Sequence, residues 1–275
     1  MKKLDIDGIS SHAWDLAKKH WLIIVSLFVS LWVVSLLINY AVESISVRTM
    51  IPNLTNIIQE SNPEDIWRIL EFLLKSVTLL SFFEFLVTSY FFIVILRMTF
   101  SAIRIGKLFV SAGDAFNVGF KRYVVFACVG IVTSLVYVIC YGIPSIYFRF
   151  TYLSFILTHD INVSWGIVCY IIFSILFGVF LHIRLLFVSI AVATDNVGFG
   201  EAFSRSWNMT KGHFWELLLL GIEAFGIILL GFFACCVGVL FALVIVNFML
   251  VLAYLELKGD DQPENMEEAV EIEEP

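Results

Sequence analysis

Apolar runs long enough to cross a bilayer, separated by short polar stretches, set the plan of this chain. A membrane-spanning helix needs about 20 consecutive apolar residues. Four such runs lie at Trp21 to about Val42, about Val77 to Leu96, Tyr123 to about Ile143 and Trp165 to about Ala193. The fourth is longer than a bilayer requires, so it is expected to tilt or project. From Phe214 to Leu257 the chain stays apolar long enough for two further spans, with a tight reversal near Gly231 to Gly238. The pattern predicts an all-α polytopic membrane helix bundle of about six transmembrane helices, with amphipathic surface helices at the cytoplasmic face. One integral membrane domain fills residues 1–258, and 259–275 form an acidic disordered tail.

The polar stretches carry signals of their own. Ser10 or Ser11 can cap a short helix from His12 to His20, whose carboxyl end holds Lys18 and Lys19, where cations suit the helix dipole. Between the first two spans, Asn62 as cap, Pro63 at the first helical position, then Glu64 and Asp65 mark a helix start. Ile66, Ile69, Leu70, Leu73 and Leu74 fall on one face, which suits a helix lying in the interface before it turns inward. Pro144 closes the third span. The densest polar order runs from Thr194 to Trp215, an amphipathic surface helix that leads into the fifth span.

Composition agrees and adds a direction. Hydrophobic residues make up 60% of the chain and charged ones 15%, too apolar a balance for a soluble domain. The net charge of −7 resides in the tail, where Asp260, Asp261, Glu264, Glu267, Glu268, Glu271, Glu273 and Glu274 follow the last base, Lys258. The membrane body is then close to neutral, and nucleic acid is not an expected partner. With the amino terminus inside, the inner segments hold Lys2, Lys3, Lys18, Lys19, Arg97, Arg104, Lys107, Lys121, Arg122, Arg205, Lys211 and Lys258. The outer ones hold only Arg48, Arg68, Lys75 and Arg149. That excess predicts two cytoplasmic termini. The first span lacks a small-residue cleavage pattern and reads as a retained anchor. Cys128, Cys140, Cys169, Cys235 and Cys236 all lie in apolar runs without Cys-x-x-Cys spacing, so they read as small hydrophobes; no metal or cofactor is expected.

Three inner segments align without gaps: Trp14 to Trp21, Phe116 to Tyr123 and Trp207 to Phe214. Each has an aromatic, a small polar residue, an apolar one, a small one, a basic pair or its remnant, and an aromatic where the span begins. Each precedes an out-and-back pair of spans, which suggests three repeats over 10–100, 112–195 and 203–257. Trp14 with Lys18 and Trp207 with Lys211 are four apart, suited to cation–π contact.

The stretch Arg184-Leu-Leu-Phe-Val-Ser-Ile-Ala-Val-Ala-Thr-Asp195, followed by Glu201-Ala202-Phe203, Ser206-Trp207, Lys211-Gly212 and Phe214-Trp215, resembles the membrane domain of glycerophosphoryl diester phosphodiesterases and related six-span bacterial inner-membrane families of unknown function. Arg184, Asp195, Ala202, Ser206, Trp207, Lys211, Gly212, Phe214 and Trp215 occupy the signature places. The resemblance implies a bacterial inner-membrane module. The phosphodiesterase activity belongs to a separate catalytic domain and is not carried over.

Ionisable residues at membrane depth are functional candidates. Arg184 and Glu223 are expected at similar depth and to pair, joining spans four and five, while Glu84 lies deeper toward the outside. Asn247 reads as helix–helix glue, and His12, His159 and His182 as interface or packing residues. The first functional expectation is a non-catalytic membrane module that contacts or organises lipid or a membrane partner. The second is a transporter of a lipid or small anion using Arg184, Glu223 and Glu84, although no span carries a mid-membrane Gly or Pro break. The third is a surface enzyme built on His20, His213, Asp195 and Glu201, for which metal-ligand spacing is missing.

Overall fold

The computed structural model describes residues 4–60, 63–105, 116–142, 144–146, 149 and 165–259; side chains are described outside 41–80, 105, 165–167 and 235–237. Regular structure among them is entirely helical. In chain order the helices are α1 (Ile6–Glu60), α2 (Pro63–Ile105), α3 (Phe120–Tyr137, prolonged by a π-helical turn Val138–Gly142) and α4 (Trp165–Leu185), then α5 (Val188–Asp195), α6 (Phe199–Met209), α7 (Phe214–Phe233) and α8 (Cys235–Lys258). Six stretches are long and apolar enough to cross a membrane: Ile6–Tyr40, Ser81–Arg104, Phe120–Ile146, Val168–Asp195, Phe214–Phe233 and Gly238–Lys258. The chain is an integral membrane protein with a polytopic all-α bundle.

α1 corrects the expected first elbow. Asp5, not Ser10 or Ser11, caps it: the Gly8 N–H donates to Asp5 Oδ1 at 3.1 Å and the Ile9 N–H to the Asp5 carbonyl at 3.0 Å. After Gly8 no Gly or Pro occurs before Pro52, so His12–His20 and the first span form one rod, with Ala13 and Ala17 buried along it. α2 starts at Pro63 as expected, then runs on without a turn between the interfacial segment and the second span. The side chains of Ile66 to Leu74, Arg68 and Lys75 lie outside the described residues, as does the tail beyond Gly259.

α7 and α8 form the expected tight hairpin, turned by Ala234 alone. A Cβ on Gly231 would lie 2.7 Å from the Gly238 carbonyl oxygen, and one on Gly238 2.5 Å from that of Gly231. Only glycine allows the two backbones this approach.

α8 is the central helix, packed on α7, α1 and α2. Val244, Ile245, Phe248, Met249, Val251, Ala253 and Tyr254 are buried on it. The core gathers at one end of the bundle. Ile93 to Leu96 of α2 are buried whereas Phe82 and Phe83 are exposed; Leu217 and Leu220 of α7 are buried whereas Phe232 and Phe233 are exposed. Hydrogen bonds bring the start of α1, the start of α7 and the end of α8 to that same end. The Leu4 N–H donates to Glu216 Oε2 and the Asp5 N–H to Glu256 Oε1, both at 3.2 Å. This is the basic end, with Lys18, Lys121, Arg122, Lys211 and Lys258.

Candidate functional site

The fourth span is where the structure departs most from expectation. Instead of running unbroken to Ala193, it stops at Leu185 and resumes at Val188 as the short, almost wholly buried α5. The interruption contains Leu186 and Phe187, neither a helix breaker. Its cause lies on α6. The Ser206 hydroxyl donates to the Arg184 carbonyl at 2.7 Å and accepts from the Phe187 N–H at 3.3 Å, satisfying both groups that the break frees. Ala202 is fully buried and lets α6 lie close on α5.

Arg184 thereby falls in the last turn of α4, where a cation meets the negative helix end. Its Nη1 donates to the Trp207 carbonyl and to Thr210 Oγ1, each at 3.3 Å. The guanidinium lies over the rings of Phe180 (5.2 Å) and Trp207 (5.0 Å). The expected pair with Glu223 is absent: among the described residues no ion pair joins them. Trp207 likewise takes Arg184, and not Lys211, on its face; the Trp14–Lys18 contact does form, at 5.4 Å.

Asp195 closes α5 as a crowded acceptor. Arg205 of α6 donates to Oδ2, Tyr254 of α8 donates there at 2.7 Å, and Lys258 and Thr194 reach Oδ1 at 3.3 and 3.1 Å. Arg205 also pairs with Glu201 at 3.8 Å. Its guanidinium is held above its ordinary range by hydrogen bonding with Tyr254 and by Asp195 and Glu201, against the opposing cost of burial. Next to this cluster, Arg122 Nε of α3 donates to Asn196 Oδ1 at 2.8 Å, tying α3 to the residue that follows α5.

The remaining signature residues form the turn into α7. Gly212 has φ 97°, a left-handed conformation that favours glycine, and His213 begins the next helix with Nδ1 2.6 Å from Glu216 Oε2. Phe214 packs on Phe180 at 6.0 Å, while Lys211 and Trp215 are exposed. The three aligned segments therefore have three local structures: mid-helix at Trp14, an open stretch before α3 at Phe116, and a helix end plus turn at Trp207.

Glu84 sits apart, near the ends of the first and second spans remote from the basic end. The Ser35 hydroxyl and Asn39 Nδ2 (3.3 Å) donate to its Oε1. Neither donor was evident from the sequence, although Ser35 and Asn39 stand four apart on one helix face. Of the histidines considered for a surface enzyme, His20 is buried with Nε2 unpartnered and His213 goes to Glu216. Among the described residues no three His, Cys, Asp or Glu side chains are grouped to hold a metal ion.

A cavity of about 340 Å³ opens beside the break. Thr133, Tyr137, Tyr141, His182, Ser189 and Asn247 stand in an otherwise apolar lining that includes Leu185 and Leu186. The Tyr137 hydroxyl is hydrogen bonded to His182 Nδ1. Sequence reasoning left His182 and Asn247 as packing residues because their convergence depends on how α3, α4 and α8 pack. Comparison with protein families, characterised proteins and solved structures gives no match, and nothing there links the chain to phosphodiesterase membrane domains.

Proposed function

We propose that the chain is a non-catalytic module that contacts and organises lipid at one leaflet, with its basic end on the cytoplasmic side of a bacterial inner membrane. The belt of aromatic and basic side chains at that end carries the reading. Trp14 stands by Lys18, Phe120 (81% exposed) by Lys121 in sequence, Trp207 by Arg184, and Trp215 is 73% exposed. Tryptophan favours the headgroup level, and each base there gains about 1 kcal/mol from anionic lipid. In vesicles whose acyl chains carry bromine at defined depths, a variant keeping only Trp215 should be quenched most by bromine nearest the headgroups. Equal quenching at every depth would overturn the reading. Cysteines placed at Lys18, Lys121 and Lys211 should all label from one membrane face.

The second reading is a transporter of a lipid or small anion, favoured by the broken span beside the cavity, since interrupted helices lining cavities mark many carriers. Flux into proteoliposomes that falls on Asn247→Leu would support it; absence of flux for phosphate and for labelled phospholipid would remove it.

A further inference from the structure

We infer that Arg184 is the binding site for the phosphate of one anionic phospholipid, an inference that rests on the leaflet-contact reading and gives it a ligand. Arg184 keeps its charge under all ordinary conditions. Yet among the described residues it has no carboxylate partner: its Nη1 meets only a backbone carbonyl and a hydroxyl. Nε is buried with no hydrogen-bond partner, and Nη2 makes no hydrogen bond to a described residue. Nη2 is therefore the nitrogen open to a phosphate oxygen, with the enclosed Nε beside it on the same edge of the fork. Phe180 and Trp207 lie 5.2 and 5.0 Å from the guanidinium and 6.2 Å from each other, so they wall it on one side and leave the other open to approach.

α6 sets the depth. Arg184 meets the Trp207 carbonyl and Thr210 Oγ1 at the end of α6, an 11-residue helix too short to cross a bilayer and exposed along much of its length. The guanidinium is thereby held against a surface helix at the basic end, where lipid phosphates come within reach. The two aromatic side chains offer an apolar rest for the first acyl methylenes, which a soluble phosphate has no use for. A phospholipid is therefore the better source of the anion.

Full-length protein equilibrated in mixed phosphatidylcholine–phosphatidylglycerol nanodiscs and released for native mass spectrometry tests this. The wild type should retain one phosphatidylglycerol per chain with roughly fivefold preference over phosphatidylcholine. Arg184→Gln should abolish that preference, Trp207→Leu should reduce it, and Lys211→Gln, which removes one base of the belt on the same end, should lower it by much less than Arg184→Gln. Thermal unfolding in pure phosphatidylcholine reports folding; if Arg184→Gln does not fold, Trp207→Leu and Phe180→Leu decide. Equal retention by wild type and folded variants overturns the site, as does equal loss in Lys211→Gln, which would mean diffuse attraction to the belt. Displacement by millimolar glycerol phosphate assigns the site to a soluble anion and overturns the lipid. The depth profile of Trp215 is independent of Arg184, so failure here with that profile intact removes the site and not the leaflet contact.

Discussion

Asp195 and Glu84 are both carboxylates in a largely apolar chain, and their surroundings differ sharply. Asp195 gathers Arg205 from α6, Tyr254 and Lys258 from α8, and its neighbour Thr194. Glu84 takes Ser35 and Asn39, both from α1. The first joins three helices and balances its charge with two cations; the second joins two helices through neutral donors. Around Asp195 the bundle is packed, around Glu84 several helices turn apolar residues outward. The difference teaches that the arrangement of the helices is specified at the basic end, where compensating charges leave few alternative packings.

Removing Asp195 should do the most damage. Asp195→Ala leaves Arg205 and Lys258 facing each other without their shared carboxylate, and unfolding in mild detergent should show a loss of about 3 kcal/mol. Ser206→Ala comes next: it strands the Arg184 carbonyl and the Phe187 N–H, costing about 2 kcal/mol. Spin labels at Phe180 and Val192 should then move apart as α4 and α5 straighten into one helix; an unchanged distance would show that the break does not depend on Ser206. At the other carboxylate, Ser35→Ala should cost about 1 kcal/mol, because Asn39 still donates to Glu84. A loss as large as that of Asp195→Ala would erase the contrast between the two acids. Lys211→Gln, exposed at the basic end, should stay within about 0.5 kcal/mol.

The helical spans, the start at Pro63 and the Gly231–Gly238 reversal were legible because each is written locally, in apolar length, in proline and in glycine. The signature residues were legible as a set, but their tasks were not. Nothing in Leu186–Phe187 announces a break; the signal sits on Ser206, and only the fold brings it there. The same holds for Arg184, whose depth along an unbroken span pointed to Glu223, whereas the break moves it beside Trp207 and Thr210. The elbow expected before the first span failed for the opposite reason. Its polar residues mark a surface, but Ala13, Leu16 and Ala17 are sound helix formers and give the backbone no cause to stop.

With Ala234 as the whole connection and the Gly231 and Gly238 backbones in close approach, α7 and α8 are tied into one hairpin once both are in the bilayer. α7 is long and apolar enough to span alone, but it meets this partner only when the ribosome has finished α8. Because α8 is also the helix against which α1 and α2 settle, the earliest-made spans remain without their final neighbour until the last one emerges.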